Sequence, residues 1–285
     1  MKPQNIQLDP GLYLVATPIG NSRDITLRAL DILASADVIA AEDTRTTRRL
    51  MDIHGISLGG RRILPYHDHS GGAGRAGIEK LIAEGKSVAY ASEAGSPLIA
   101  DPGFALAREV ARDGHLVTAV PGASATLAAL SLSGLPTDRF LFAGFPPAAK
   151  GPRASWLAEL LPIPATLVFF ESPKRVQKLL AELCSCDAGQ RQAAICRELT
   201  KKFEEIKRGT VAELAQDLAE NPIRGEVVFV LDRGSDVQDE GAMEEMLTKA
   251  MSDMSMKDAV NAVSQALGLP RRKVYQSALE LGKKK

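Results

Sequence analysis

From Leu12 to Ser133, short apolar runs alternate with stretches of helical spacing, and nearly every run ends in a loop of small and polar residues. Leu12–Thr17 is apolar and bounded by Gly11 and Pro18, so it reads as a buried strand. Leu27, Leu30, Ile32 and Leu33 then recur at near-helical spacing within 25–36. Strands at 38–41, 62–66, 87–91 and 115–120, with helices at 45–53, 78–83, 104–111 and 126–133, continue the pattern. This alternation calls for an α/β unit with a mainly parallel sheet. In such sheets ligands collect in the loops at the carboxyl ends of the strands, and the chemistry is sought there.

The turn-forming segment Gly134-Leu-Pro-Thr-Asp-Arg139 interrupts the alternation and marks a domain boundary. Beyond it, strands are predicted at 140–145, 166–170, 193–197, 203–209 and 226–232, and helices at 154–161, 175–183 and 211–219. The last strands follow one another closely, which predicts more antiparallel pairing in this half. The acidic, polar segment 234–241 reads as a linker. Helical patterns follow at 243–252, 256–267 and 271–281. The last two are split by Gly268-Leu-Pro270, as in a minimal helix-turn-helix. The chain thus divides into an α/β domain (1–134), a second α/β domain (135–233) and a linker with a helical module (234–285).

Lys and Arg together number 35, and so do Asp and Glu, so any surface for a nucleic acid must be local rather than a property of net charge. The one plainly basic stretch is the C-terminus, where Arg271, Arg272, Lys273 and Lys283–Lys285 face only Glu280. An RNA-phosphate contact is one reading of it, and a solvated helix face the other. The N-terminal segment lacks an apolar core of signal-peptide length before Pro10, and the longest apolar runs are far too short for a membrane span. Cys184, Cys186 and Cys196 have no zinc-type pairing and suggest reduced thiols, so a cytoplasmic protein without membrane contact is expected.

Six strand-end loops stand out. Thr17-Pro-Ile-Gly-Asn21 permits a tight turn and close approach of a ligand to the backbone. Ala41-Glu-Asp-Thr-Arg45 places two carboxylates and an arginine at a strand end, where Asp43 or Thr44 could also cap a helix. Ser92-Glu-Ala-Gly-Ser-Pro97 lets backbone groups face a ligand, and Asp101 in Asp101-Pro-Gly103 could accept from hydroxyls or an amine. Pro121-Gly-Ala-Ser124, Phe170-Glu-Ser-Pro-Lys174 and Arg197-Glu-Leu-Thr-Lys201, with Lys202 behind it, complete the set. None fits the dinucleotide fingerprint or a Walker loop. Gly71-Gly-Ala-Gly74 lacks the following Lys-Ser/Thr and reads as a flexible loop. Metalloprotease, zinc and serine-hydrolase motifs are absent. His67 and His69 flank Asp68, and loop histidines near a polar substrate are favoured over a metal pair, so no metal is expected.

Ser92–Pro97, Pro121–Ser124, Phe170–Pro173 and Arg197–Glu205 together resemble the tetrapyrrole (corrin/porphyrin) methylase superfamily. Thr17–Asn21, the Ala-Glu-Asp-Thr-Arg segment and Gly134–Arg139 are similar, in order, to its ribosomal-RNA branch, the 16S rRNA (cytidine-2′-O)-methyltransferases. The resemblance spans about residues 11–232. It departs from the branch at Glu93 and Ser96, where Asp and Thr are usual, and at Ser70-Gly71-Gly72, where Asn-Glu usually follows the histidines. It implies two α/β domains with S-adenosyl-L-methionine in the cleft between them, a small C-terminal helical module, usually a homodimer, and small-subunit rRNA within the 30S subunit as partner. The matching positions expected to line the cofactor are Pro18, Glu93, Ala94, Gly95 and Ser124 in the first half, joined by Asp101, and Phe170, Glu171, Glu198 and Leu199 in the second.

A ribose hydroxyl is a weak nucleophile and needs a general base or a polarising cation. Glu42 or Asp43 is the expected base, with Arg45 and Lys174 positioning phosphate or polarising the hydroxyl. Lys201, Lys202, Arg271, Arg272 and Lys273 are the expected RNA contacts. Two other readings remain open on the sequence: methylation of a tetrapyrrole or a protein side chain on the same fold, and a ribosome-assembly binding protein without catalysis.

Overall fold

The computed structural model describes residues 3–67, 70–99, 103–186, 188–233, 237–267 and 271–283. They form two compact units, Met1–Arg233 and Gly234–Lys285.

The first unit carries two five-stranded sheets. The first sheet, ordered β3-β2-β4-β1-β5, joins β1 (Gly11–Val15), β2 (Val38–Ala41), β3 (Ile63–Pro65), β4 (Ser87–Ala91) and β5 (Leu116–Val120). Every pairing in it is parallel, as the alternation requires. Successive residues of a strand point to opposite faces, and β1 serves both cores. Leu12 and Leu14 pack with Ile78, Ile82 and Val110, which come from α3 (Gly71–Ala83) and α4 (Phe104–Arg112). Tyr13 and Val15 pack with Leu30, Leu33 and Met51, from α1 (Leu27–Ser35) and α2 (Thr44–Ile53). Each fully buried Leu or Ile contributes roughly 1.5–3 kcal/mol against exposure, so this two-sided burial fixes the sheet.

The second sheet, ordered β6-β7-β10-β8-β9, joins β6 (Phe140–Gly144), β7 (Thr166–Glu171), β8 (Gln192–Arg197), β9 (Glu205–Thr210) and β10 (Val227–Leu231). Only β6 and β7 run parallel; β10 pairs antiparallel with β7 and β8, and β8 with β9. One face is covered by α6 (Lys150–Leu160), α7 (Pro173–Ser185) and α8 (Val211–Glu220) around Phe169, Leu179 and Phe229. The other face is covered by α5 (Ala125–Ser133), whose Ala129 and Leu130 pack with Val168, Cys196 and Val230. Arg208 of β9 closes the end of that helix, its Nε donating to the carbonyls of Leu132 and Ser133 at 3.1 and 3.2 Å. The last helix before Gly134 therefore packs on the second sheet, although it follows the last strand of the first.

Three helices begin earlier than their apolar spacing predicts. The run Gly71–Gly74, expected as a flexible loop, is the first turn of α3. Helix α6 starts at Lys150 rather than 154, and α9 (Val237–Asp253) at Val237, inside the expected linker. The four added residues of α6 are one turn, whose N–H groups have no intrahelical acceptor, so Pro152 costs no hydrogen bond there. The seven added to α3 and the six added to α9 carry glycine or charge, which hides the apolar spacing without breaking the helix.

In the second unit α9, α10 (Met256–Leu267) and α11 (Arg271–Lys283) enclose a small core of Met243, Leu247, Val260, Val263, Val274 and Ala278. Residues 268–270, expected as the turn between the last two, lie outside the described residues, as do Asp68, His69, Asp101 and the side chain of Lys273. Among the described residues no helix is long and apolar enough to cross a membrane, and no three His, Cys, Asp or Glu gather to hold a metal ion.

Candidate functional site

The loops after β1 and β4 are tied to each other at the carboxyl end of the first sheet. Thr17 and Gly95 exchange two backbone hydrogen bonds of 3.0 Å. The Ser92 hydroxyl donates to the Gly95 carbonyl at 2.6 Å, and the Thr17 hydroxyl donates to the Ser92 carbonyl at 3.1 Å. Gly95 takes a φ of 85°, where a side chain would be strained. These bonds set the backbone of Glu93 and Ala94 at the site.

The acidic pair after β2 divides its labour. Asp43 caps α2, accepting from the backbone N–H of Arg45 at 2.7 Å and of Thr46 at 3.2 Å. Those two bonds hold its carboxyl below the usual range. Glu42 instead faces the cavity, with Oε2 accepting from the Glu93 N–H at 3.2 Å. Arg45 points to solvent, 3.5 Å from Asp43.

In the second half, the turn after β8 carries two non-glycine residues in the left-handed region, Glu198 (φ 51°) and Thr200 (φ 63°). Such residues cost of order 1–3 kcal/mol each and persist where surroundings over-determine them. Here Glu198 Oε1 accepts from Lys201 Nζ at 3.1 Å and from the Glu226 N–H at 2.9 Å. Lys201 Nζ also reaches Glu226 Oε2 at 2.9 Å. The bond from the Glu226 N–H, then the lysine, holds the Glu198 carboxyl below its ordinary range. Burial pulls the Lys201 ammonium down, but its bonds to Glu226 and Glu198 outweigh this and raise it. The same turn touches the first half: the Asn21 N–H donates to Thr200 Oγ1 at 3.0 Å, and a Cβ on Gly20 would sit 2.9 Å from the Leu199 carbonyl.

Between the halves lies a cavity of about 470 Å³, within the size range of small-molecule sites. Its apolar wall includes Ile19, Phe145, Phe170, Leu199 and Val228. Its charged lining is acidic throughout: Glu42, Glu93, Glu171 and Glu226, with no Lys or Arg among the described lining residues. Glu171 is the deepest of them, its side chain 2% exposed. Its Oε1 accepts from the Ser172 N–H at 2.7 Å and lies 3.2 Å from Arg175 Nε, while Oε2 is buried without a hydrogen-bond partner. Burial raises its carboxyl above the ordinary range, against the pull of that N–H and of Arg175. Glu171 and Glu226 are offset by Arg175 and Lys201 behind the lining, and the remaining glutamates tilt the cavity toward a cation and away from phosphate. An aliphatic and aromatic cavity with this lining fits a sulfonium cofactor carrying an aromatic base and an amine.

Of the residues expected at a site, Glu42, Glu93, Ala94, Phe170, Glu171 and Leu199 line this cavity. For Pro18, Gly95, Ser124 and Glu198 it is the neighbouring residue that lines it, while those four shape the loops: Ser124 caps α5 through Leu127 N–H, and Glu198 holds the turn. Lys174 and Lys202 are exposed outside the lining, and Arg271 and Arg272 are exposed on α11. Lys201 is turned onto Glu198 and Glu226. Asp101 and the Lys273 side chain lie outside the described residues. Sequence reasoning missed Phe145, Cys196 and the segment Gly225–Val228. Only the last carried a signal, a glycine before a strand. Cys196 is buried, its thiol pushed up to about 12 by that burial, and is chemically quiet.

Comparison with known proteins adds a second line. The tetrapyrrole (corrin/porphyrin) methylase family profile matches residues 11–215, and that of an RsmI C-terminal HTH domain matches 237–282. A Mesorhizobium japonicum protein named ribosomal RNA small subunit methyltransferase I is 46% identical over 96% of this chain and 93% of its own. The protein of that name from Halalkalibacterium halodurans is 40% identical over 93% of each. Among solved structures, Thermus thermophilus uroporphyrin-III-C-methyltransferase superposes with a TM-score of 0.55 at 23% identity, covering 79% of this chain and 94% of that one. A diphthine synthase superposes with a TM-score of 0.59 at 20% identity, covering 78% and 89%. At such identities the superpositions speak for the fold alone.

Proposed function

The chain belongs to the ribosomal RNA small subunit methyltransferase I family of tetrapyrrole (corrin/porphyrin) methylases, and on that premise we propose that it methylates the ribose 2′-hydroxyl of a cytidine in the decoding region of 16S rRNA, with S-adenosyl-L-methionine as donor. The observation that carries the reading is the cavity itself: apolar, lined by four carboxylates and by no cation among the described residues. That lining suits a sulfonium and keeps RNA phosphate outside, so only the target nucleoside approaches the cavity. When bound, the cofactor supplies an electrophilic methyl group. Glu93–Ala94 and the Leu199 turn would hold it between them, with Glu171 at the deep wall. Glu42, at the cavity and fixed by the Glu93 N–H, takes the proton from the 2′-hydroxyl. Arg45 and Lys174, both exposed, meet phosphate outside.

Undermethylated 30S subunits incubated with the protein and labelled cofactor are expected to carry label on one cytidine ribose of 16S rRNA. Label on protein or on a porphyrinoid, or none, would overturn the reading. It includes a cytoplasmic homodimer, and sedimentation of the purified chain at its working concentration checks the dimer.

The lysines and arginines separate by role. Lys201→Met is expected to raise the KM for the cofactor and leave the salt dependence of RNA binding unchanged, because Lys201 braces the turn beside the cavity. Arg271→Ala with Arg272→Ala is expected to do the reverse, flattening log affinity against log salt by about 0.7–0.9 per lost phosphate contact. A flattened slope in Lys201→Met with normal cofactor KM would make Lys201 an RNA contact.

A further inference from the structure

We propose that Phe145 is a stacking platform for a nucleobase at the mouth of the cavity, which deepens the reading above by naming what one wall of the site holds. Three phenylalanines among the described residues are more than half exposed: Phe104 at 61%, Phe145 at 58% and Phe203 at 63%. Two of them carry a cation over the ring, Arg108 over Phe104 and Lys202 over Phe203. Phe145 is the one of the three that lines the cavity, and its ring contact is Phe170, at 5.7 Å between centroids and 73° between planes. Phe170 in turn meets Phe142 at 4.7 Å. A ring exposed at the cavity and free of a cation offers an apolar flat face, and every nucleobase has one that can stack on it.

The backbone is built to present this ring. The pairing of β6 with β7 shifts register between Phe142 and Gly144, and Gly144 adopts a φ of 72°. This break in register ends the regular pairing just before Phe145, and such irregularities are common beside active sites. The chain after the ring is then pinned. Arg175 donates to the Pro146 carbonyl, and Arg153 Nη1 donates to those of Pro147 and Ala148 at 3.0 and 2.9 Å. Both guanidiniums are held by carboxylates. Glu182 takes Arg153 through two bonds of 2.6 and 2.7 Å, and Glu171, on the cavity wall, sits beside Arg175. The platform and Glu171 of the cavity wall are thus parts of one braced unit, so a ring stacked on Phe145 meets little ordering cost.

The base has two sources: the adenine of the cofactor and a base of the RNA. Phe145→Trp places an indole on the platform, and its emission is read against the parent chain, whose one tryptophan is Trp156. The added emission is expected to be quenched by S-adenosylmethionine or by a cytidine-containing RNA oligonucleotide. Quenching by the first assigns the platform to adenine, and by the second alone to a substrate base. Quenching by neither overturns the inference. Phe145→Leu keeps apolar bulk without a ring face and is expected to weaken binding of the same ligand about 5- to 150-fold, while Phe145→Tyr stays near the parent. Equal binding by the Leu and Tyr variants also overturns it. Methyl transfer by the unaltered chain is a separate readout: quenching without transfer would sink the proposed function and keep the platform.

Discussion

Replacing Glu42 by Gln is expected to lower kcat about 10²–10⁴-fold, the usual contribution of a general base, with little change in cofactor affinity. The amide is isosteric, and its oxygen can still accept the Glu93 N–H that now reaches Oε2 at 3.2 Å. The loop therefore keeps its place and only the proton acceptor is lost. Asp43→Asn is the informative neighbour. Asp43 spends its carboxylate on the N–H groups of Arg45 and Thr46, and asparagine caps a helix nearly as well. Its turnover is expected to stay close to the parent's, and Asp43→Ala to show mainly a lower melting temperature as the cap of α2 goes. Single-turnover rates at saturating cofactor, with binding measured separately, distinguish chemistry from binding. Losses of equal size in the two isosteric variants, or none in Glu42→Gln, would place the base elsewhere.

How much of the fold is legible in the sequence follows from the range of each signal. Local signals carried well. The apolar run 12–17 gave a strand buried on both faces, and the close spacing of the last strands gave the antiparallel half. Of the loops singled out by their chemistry, Glu93–Ala94 and Phe170–Glu171 lie at the cavity. What the sequence hides are properties set by partners far away in it. Lys201 looks like a free cation until Glu226, on another loop, is brought to 2.9 Å. Helix α5 belongs by sequence to the first sheet and by packing to the second, because its Ala129 and Leu130 find Val168 and Val230 there. Phe145 read as the last residue of a strand, and only the turn at Gly144 shows that it leaves the sheet.

Gly225→Ala is expected to be among the most damaging single-methyl changes in the first unit. The residue adopts a φ of 92°, which a side chain reaches only under strain. An added Cβ would lie 2.4 Å from Glu198 Oε1 and 2.7 Å from its Cγ, so the whole side chain must yield, not merely its tip. Yielding breaks the bonds from Lys201 and from the Glu226 N–H that hold the left-handed turn, and with them the wall formed by Leu199. Strain of roughly 1–2 kcal/mol and overpacking of roughly 1–3 kcal/mol then add. At about 2–4 °C per kcal/mol for a unit of this size, the melting temperature should fall by roughly 4–20 °C. Cofactor affinity should fall at the same time, since the displaced turn borders the cavity. A double-mutant cycle isolates the cause. Glu198→Ala alone also weakens the turn, but it empties the space that the new methyl needs. Gly225→Ala with Glu198→Ala should therefore be more stable than the two single losses sum to, leaving only the backbone strain of residue 225. Strict additivity in the melting temperatures would mean that the glycine is required for its backbone conformation alone and that the close approach of Glu198 plays no part.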